Sequence, residues 1–260
     1  MASQKVGFLD SGVGGLSVLL EVRSLLPHVD MHYIGDSAWC PYGTKSTEVI
    51  CERVGKLAEY LISQDVSLIV VACNSATIQA VDWLRSNYPV PFVGTEPAVK
   101  PASARTQTGV IGVLATEASI GGKKFLDLIH SAAENVEVVT QACPGFVKLV
   151  ENGVLSGPQV EEAVRTYTQK IIDKGADFIV LGCTHYPFLR ETIENIVPPG
   201  ITVIDSGASI ARRVDSLLSD KTGSGQLLIE TTGDLDRLKT LVPRLLGDIG
   251  KSAVLSKYSD

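Results

Sequence analysis

No stretch of the 260 residues approaches the roughly 20 consecutive apolar residues that a membrane-spanning helix needs. The opening Met1-Ala2-Ser3-Gln4-Lys5 lacks the pattern of a secretory leader and runs straight into an apolar strand, so no signal peptide is expected. Runs of like charge and basic clusters are missing too. With a net charge of −6 and an isoelectric point near 5.3, the chain does not offer a general nucleic-acid surface. There is no C-x-x-C, and Cys183-Thr184-His185 lacks the ligand spacing of the common zinc sites, so no metal is expected. The glycines at 12, 14 and 15 do not make a dinucleotide fingerprint, because Ser17 stands where the last glycine belongs. No Schiff-base lysine with a phosphate site stands out, which argues against pyridoxal-phosphate chemistry. No low-complexity linker interrupts the chain.

What is present suffices for one large α/β domain or two of about 100–150 residues, with 45% of residues hydrophobic. The cysteines are Cys40, Cys51, Cys73, Cys143 and Cys183. An odd number in a chain without a secretion signal reads as reduced thiols in the cytoplasm, not a disulfide framework.

Two of these cysteines end similar segments. Ile69-Val70-Val71-Ala72-Cys73-Asn74-Ser75 is an apolar run closed by a thiol and small polar residues, and Ile179-Val180-Leu181-Gly182-Cys183-Thr184-His185 repeats it 110 residues later. Each follows a helix end and a turn. Two copies of a helix–turn–strand–Cys unit imply two similar halves, each with a thiol at the C-terminal end of a buried strand, where α/β proteins place ligands and chemistry. A single buried cysteine is commonly a plain core residue; the second copy favours function here.

Around these units the chain alternates strands and helices. Lys5–Leu9 is a buried strand ending in Asp10-Ser11-Gly12-Val13-Gly14-Gly15, with a helix from about Gly15 to Leu26. Asp10 and Ser11 have two readings: helix capping, or a substrate contact joined to a titratable acid. Met31–Asp36 is a second strand, then a turn-rich loop through Trp39-Cys40-Pro41-Tyr42-Gly43, then a helix starting at Ser46 with Val49, Ile50, Val54, Leu57, Ala58 and Leu61 on its apolar face. The proline-flanked Glu96-Pro97 marks a crossing into a second α/β run. There Val110–Thr116 resembles Val6–Ser11, a helix reaches about Ala133, and Val136–Thr140 is a strand. Glu151 precedes Cys183 by 32 residues, as Tyr42 precedes Cys73 by 31, so their loops read as counterparts. Asp205-Ser206-Gly207 reads as a capped turn returning to the first domain, Gly225–Thr232 as a strand at an edge, and the tail as polar.

Two equivalent thiols facing each other across a cleft suit a two-base racemisation. One, as thiolate, takes a proton from one face of a carbon; the other delivers a proton to the opposite face. The pair needs near-matched pKa values. A free cysteine titrates near about 8.5 and can be drawn toward neutrality at a helix N-terminus. Asp10 beside Cys73, and His185 or Glu151 beside Cys183, would poise them, while hydroxyl and backbone N–H donors stabilise the carboxylate as charge builds.

Asp10-Ser11-Gly12-Val13-Gly14-Gly15, Pro41-Tyr42-Gly43, Ala72-Cys73-Asn74-Ser75-Ala76, Glu96-Pro97-Ala98-Val99-Lys100-Pro101 and Gly182-Cys183-Thr184-His185-Tyr186-Pro187 resemble, in order and spacing, the signature segments of glutamate racemase. The resemblance covers nearly the whole chain. It implies an α/β fold of two similar domains with mostly parallel sheets, related by a pseudo-twofold, with the active site in the cleft between them. The domains would be residues 1–96 with 208–260, and 97–207. It implies a cofactor-independent isomerase of the cytoplasm that interconverts L- and D-glutamate for peptidoglycan synthesis, with no cofactor, no nucleic-acid or membrane partner, and a homodimeric state. Cys73 and Cys183 become the acid/base residues, assisted by Asp10, Glu151 and His185. Ser11, Pro41, Tyr42, Gly43, Asn74, Ser75, Thr116, Thr184 and His185, with Asp10, become substrate contacts. Ser75 departs from the usual threonine but keeps the hydroxyl, and Cys40 replaces a more usual aliphatic residue. Some relatives respond to a cell-wall precursor through an N-terminal extension; with so short a lead into its first strand, this chain is expected not to. Rival readings are an aspartate racemase or another Cys-dependent isomerase or decarboxylase, a single-cysteine hydrolase using His185, and a non-catalytic amino-acid sensor.

Overall fold

The computed structural model describes residues 4–132 and 135–258. Among them are ten strands: β1 (Lys5–Asp10), β2 (Asp30–Gly35), β3 (Val66–Val71), β4 (Phe92–Gly94), β5 (Val110–Ala115), β6 (Glu137–Ala142), β7 (Phe178–Leu181), β8 (Thr202–Ile204), β9 (Leu227–Thr231) and β10 (Val254–Lys257). They form two sheets, ordered β10-β9-β2-β1-β3-β4 and β6-β5-β7-β8, and every pairing is parallel. Sequences such as Val-Ser-Leu-Ile-Val-Val in β3 suit this, since a parallel strand with helices on both faces is apolar nearly throughout. The chain divides into two compact units, one made of the residues up to Thr95 and those from Gly207 onward, the other of Glu96–Ser206.

In the first unit, α1 (Leu16–Leu25), α2 (Thr47–Ser63) and α3 (Asn74–Asn87) connect the strands. Ser46 caps α2 by accepting from the Val49 N–H, at 3.5 Å. α3 stops at Tyr88, whose extended backbone is what a residue before proline adopts. On one face of the sheet α2 and α3 lay Val54, Leu57, Leu61, Ala80 and Leu84 over Leu9, Ile34, Ile69 and Val71, all fully buried. Each of the larger side chains contributes about 1.5–3 kcal/mol. α1 pairs with the helix Gly207–Leu217.

The second unit repeats the core of the first: β6-β5-β7-β8 has the connectivity of β2-β1-β3-β4. Pro158 opens a long helix, Pro158–Asp173, and Gly175, at φ 76°, follows its end. That helix covers β5 and β6.

The sequence reading needs three corrections. β9 is no edge strand; it lies between β2 and β10, and β10 comes from the tail, whose alternation is too polar to betray a strand. The single helix expected after Thr116 is two, Glu117–Ile120 and Lys123–Ala132, and its expected end near Ala133 falls outside the described residues. The cap of α1 is Gly15, not Asp10 or Ser11.

Candidate active site

Parallel strands deliver their C-terminal ends to one side of each sheet, and the candidate residues collect there. In the first unit β3 runs beside β1 with Leu9 opposite Val71, and the Ala72 N–H donates to the Leu9 carbonyl at 2.9 Å. Cys73 follows as the N-cap of α3. The helix starts at Asn74, so Asn74 and Ser75 occupy its first turn and are buried. The Cys73 Sγ lies 3.7 Å from Ser11 Oγ. Asp10, fully buried, ends β1 and accepts the Gly12 N–H at 2.8 Å, while the Tyr33 hydroxyl holds the Gly12 carbonyl at 2.7 Å. A bend at Gly12 thus presents Ser11 to the thiol. Asn74 is steadied from the far side, its Nδ2 donating to the Thr95 carbonyl at 3.2 Å.

The second unit repeats the rung. Leu114 lies opposite Leu181, and the Gly182 N–H donates to the Leu114 carbonyl at 2.7 Å. Cys183 therefore stands where Cys73 stands, two residues past its strand. Its surroundings differ. No α-helix starts there; a short 3₁₀ turn, Tyr186–Leu189, follows His185. His185 Nδ1 is 3.7 Å from Cys183 Sγ, and its Nε2 is 2.8 Å from Glu151 Oε1 at the end of the helix Pro144–Glu151. Burial alone would push the His185 pKa down; the hydrogen bonds and charges of Cys183 and Glu151 outweigh it, and the imidazole is held well above its ordinary range. The result is a thiol–imidazole–carboxylate chain. Tyr186, fully buried, donates to the Cys143 carbonyl at 3.1 Å and packs edge-on to Phe146, which fixes the turn from behind.

Not every expected contact points toward a substrate. By register the counterpart of Asp10 is Ala115, and that of Ser11 is Thr116. Thr116 caps the helix Glu117–Ile120 and its hydroxyl lies 2.9 Å from Ser119 Oγ. Tyr42, buried in a 3₁₀ turn after β2, donates its hydroxyl to Asp36 Oδ2 at 2.6 Å, so its hydroxyl proton is committed within the fold. Pro41 is exposed and Gly43 half-buried; Thr184 is buried beside Cys183. Sequence reasoning missed Asp36 and Arg53. Arg53 left a signal: it interrupts the apolar face Ile50, Val54, Leu57 of α2 while remaining buried.

Known proteins resemble this chain closely. A family model described as Asp/Glu/Hydantoin racemase matches residues 18–214. The glutamate racemase of Herpetosiphon aurantiacus is 46% identical over 240 residues, covering 90% of this chain and 94% of its own. The crystal structure of Escherichia coli glutamate racemase, in complex with L-glutamate and activator UDP-MurNAc-ala, is 32% identical, with a TM-score of 0.90 and coverage of 99% of both chains. That of Francisella tularensis glutamate racemase in complex with D-glutamate is 29% identical, with a TM-score of 0.81 over 99% of this chain and 98% of that one. Among the described residues, no helix is long and apolar enough to cross a membrane.

Proposed function

The chain belongs to the Asp/Glu/hydantoin racemase family and, within it, to the glutamate racemases, which are isomerases; from there we propose that it interconverts L- and D-glutamate by two-base catalysis with Cys73 and Cys183. The observation that carries the reading is the repeated rung: two thiols, each two residues past a central strand of matching topology. One thiolate removes the Cα proton and becomes a thiol. The other thiol donates its proton to the opposite face and becomes a thiolate. The substrate is inverted with no net change in protons, and the reverse reaction starts from the state left behind. Asp10 assists Cys73; His185, backed by Glu151, assists Cys183. Asn74, Ser75, Thr184, Ser11 and the main chain at Pro41-Tyr42-Gly43 and Thr116 hold the carboxylates and the amine, stabilising the charge that builds at the α-carboxylate. The product D-glutamate serves peptidoglycan synthesis in the cytoplasm, and the working form is a homodimer.

The test is L-glutamate with purified protein in D₂O without added cofactor, followed by optical rotation and by mass spectrometry of Cα deuterium, with aspartate in parallel. Loss of rotation with deuterium in the D product, and little effect on aspartate, is expected. Binding of glutamate without exchange would reject the racemase and promote a sensor. One observation favours a second reading, a Cys183 hydrolase: the Cys183–His185–Glu151 chain matches the nucleophile–base–orienter order of such enzymes. It requires Cys73 to be dispensable.

A further inference from the structure

Asp36 lies one residue past β2, fully buried, and is surrounded by donors. Arg53 on α2 approaches it with both arms of its fork, Nε to Oδ2 at 3.0 Å and Nη2 to Oδ1 at 2.8 Å. The Tyr42 hydroxyl donates to Oδ2 at 2.6 Å and the Thr232 hydroxyl, just past β9, to Oδ1 at 2.7 Å. The main chain of Asp36 is committed as well: its N–H donates to the Asp10 carbonyl at 2.9 Å and its carbonyl accepts the Trp39 N–H at 2.9 Å. The Arg53 guanidinium also lies over the Trp39 ring, 5.0 Å from its centre. Asp36 therefore ties together the end of β1 through its main chain, and α2, the end of β9 and the loop that carries Pro41-Tyr42-Gly43 through its carboxylate.

The Ala38 N–H of the same loop donates to the Thr232 hydroxyl oxygen at 3.2 Å. From residue 37 to 46, Tyr42 is the one buried side chain. Burying an arginine–aspartate pair is an expensive way to stabilise a fold, because both ions lose water and an apolar pair of the same volume does as well. What the pair adds is geometry: a bidentate fork fixes direction as well as distance. Burial, and then the Asp36 charge, raises the Tyr42 pKa well above its ordinary value, so the phenol stays a proton donor to Asp36. Tyr42 and Cys73 belong to one buried cluster, together with Leu9, Ile34 and Ile50.

We propose that Asp36 and Arg53 form a positioning clamp that, through the Tyr42 hydroxyl and the Trp39 ring, fixes the Pro41-Tyr42-Gly43 main chain for glutamate binding in the first unit. The inference rests on the glutamate reading of the site. Neither clamp residue is a catalytic residue; they act through Tyr42.

The test uses Tyr42→Phe, which removes one hydroxyl and keeps the ring, and Asp36→Asn, both in the full-length protein. KM and kcat for L-glutamate are measured together with acrylamide quenching of Trp39 fluorescence in a Trp83→Phe background. The clamp requires KM to rise about tenfold or more with a smaller change in kcat, the mark of lost uniform binding. It also requires Trp39 to become clearly more accessible to quencher. A purely structural pair would lower the melting temperature and leave KM and quenching of the folded protein unchanged, and that result overturns the proposal. Should Asp36→Asn fail to fold, Tyr42→Phe decides alone. If the wild type binds glutamate but does not racemise it, the function proposed above falls, and the same shift is read as Kd by calorimetry. If it neither binds nor racemises glutamate, both proposals fall.

Discussion

His185 Nε2 lies 2.8 Å from Glu151 Oε1 while its Nδ1 lies 3.7 Å from Cys183 Sγ, so the imidazole is held between two partners. The pKa of buried His185 is raised by its partners against the pull of burial. Proton NMR of the four histidines should therefore show one resonance, missing in His185→Asn, that titrates clearly above the ordinary value near 6.5. Glu151→Gln should move that titration down. The sign for stability follows. A raised folded pKa stabilises the fold fully below the unfolded value near 6.5 and loses that contribution as pH rises through the folded value. The melting-temperature gap between wild type and Glu151→Gln should thus be widest in mildly acidic buffer and narrow as pH rises. A gap that widens with pH would refute the charged pair.

Replacing either thiol separates two-base chemistry from a single-cysteine mechanism. Cys73→Ser and Cys183→Ser each keep the shape of the side chain but exchange the thiol for a hydroxyl and lose the acid–base match, since a serine hydroxyl holds its proton far more tightly than a thiol. Each variant is expected to lose about three orders of magnitude or more in kcat, within the span general acid–base groups supply. Circular dichroism spectra should stay unchanged. Full racemisation by Cys73→Ser would instead show that one thiol suffices and end the two-base proposal.

The repeated strand-end thiols were legible in the sequence because a buried parallel strand is an apolar run, and its abrupt end at Cys73 or Cys183 is visible in one dimension. The capped start of α2 was legible for the same local reason: Ser46 bonds a neighbour three residues away. The Asp36–Arg53 pair was not, because its members sit 17 residues apart on a strand end and a helix, and only packing brings them together. β10 was missed because an edge strand is covered on fewer sides. Val254 is half exposed, so Val254–Lys257 carries no apolar run. Unlike assistants for the two thiols, Asp10 for Cys73 and His185 or Glu151 for Cys183, were expected from the sequence; that Ala115 stands in the place of Asp10 became visible only with the register.

Gly182 immediately precedes Cys183, and its lack of a side chain is needed. A Cβ there would meet the Leu114 carbonyl oxygen at 2.8 Å, a backbone atom that cannot swing aside. Gly182→Ala should cost about 1–3 kcal/mol of stability by overpacking and displace the thiol from His185. Activity should fall further than stability accounts for, measured as kcat well below the unfolding range. The first unit has Ala72 at this position, so the reverse change, Ala72→Gly, should leave activity within a few-fold of wild type. Normal kcat in Gly182→Ala would show that the strand end tolerates the shift.

Glu230 tests the part of the first unit that the sequence hid. It is buried on β9, 2.7 Å from His32 Nε2 on β2, and accepts the Ser256 hydroxyl of β10 at 2.9 Å. Burial would raise its pKa, but the hydrogen bonds of His32, Ser256 and Tyr60 prevail and hold the carboxylate below its ordinary value. A depressed folded pKa stabilises the protein above the unfolded value near 4.5 and loses that contribution as pH falls through the folded one. Glu230→Gln keeps the shape but removes the charge, so it should cost about 1.5–3 kcal/mol at neutral pH, the worth of hydrogen bonds to a charged group. The gap between wild type and variant, read from urea midpoints at pH 7, 5.5 and 4, should shrink toward the acid end. Because Ser256 loses its charged acceptor in the variant, amide exchange over Val254–Lys257 should quicken before that of β1 or β3. Equal protection of β10 in both proteins would mean that the edge strand is held by its backbone ladder alone.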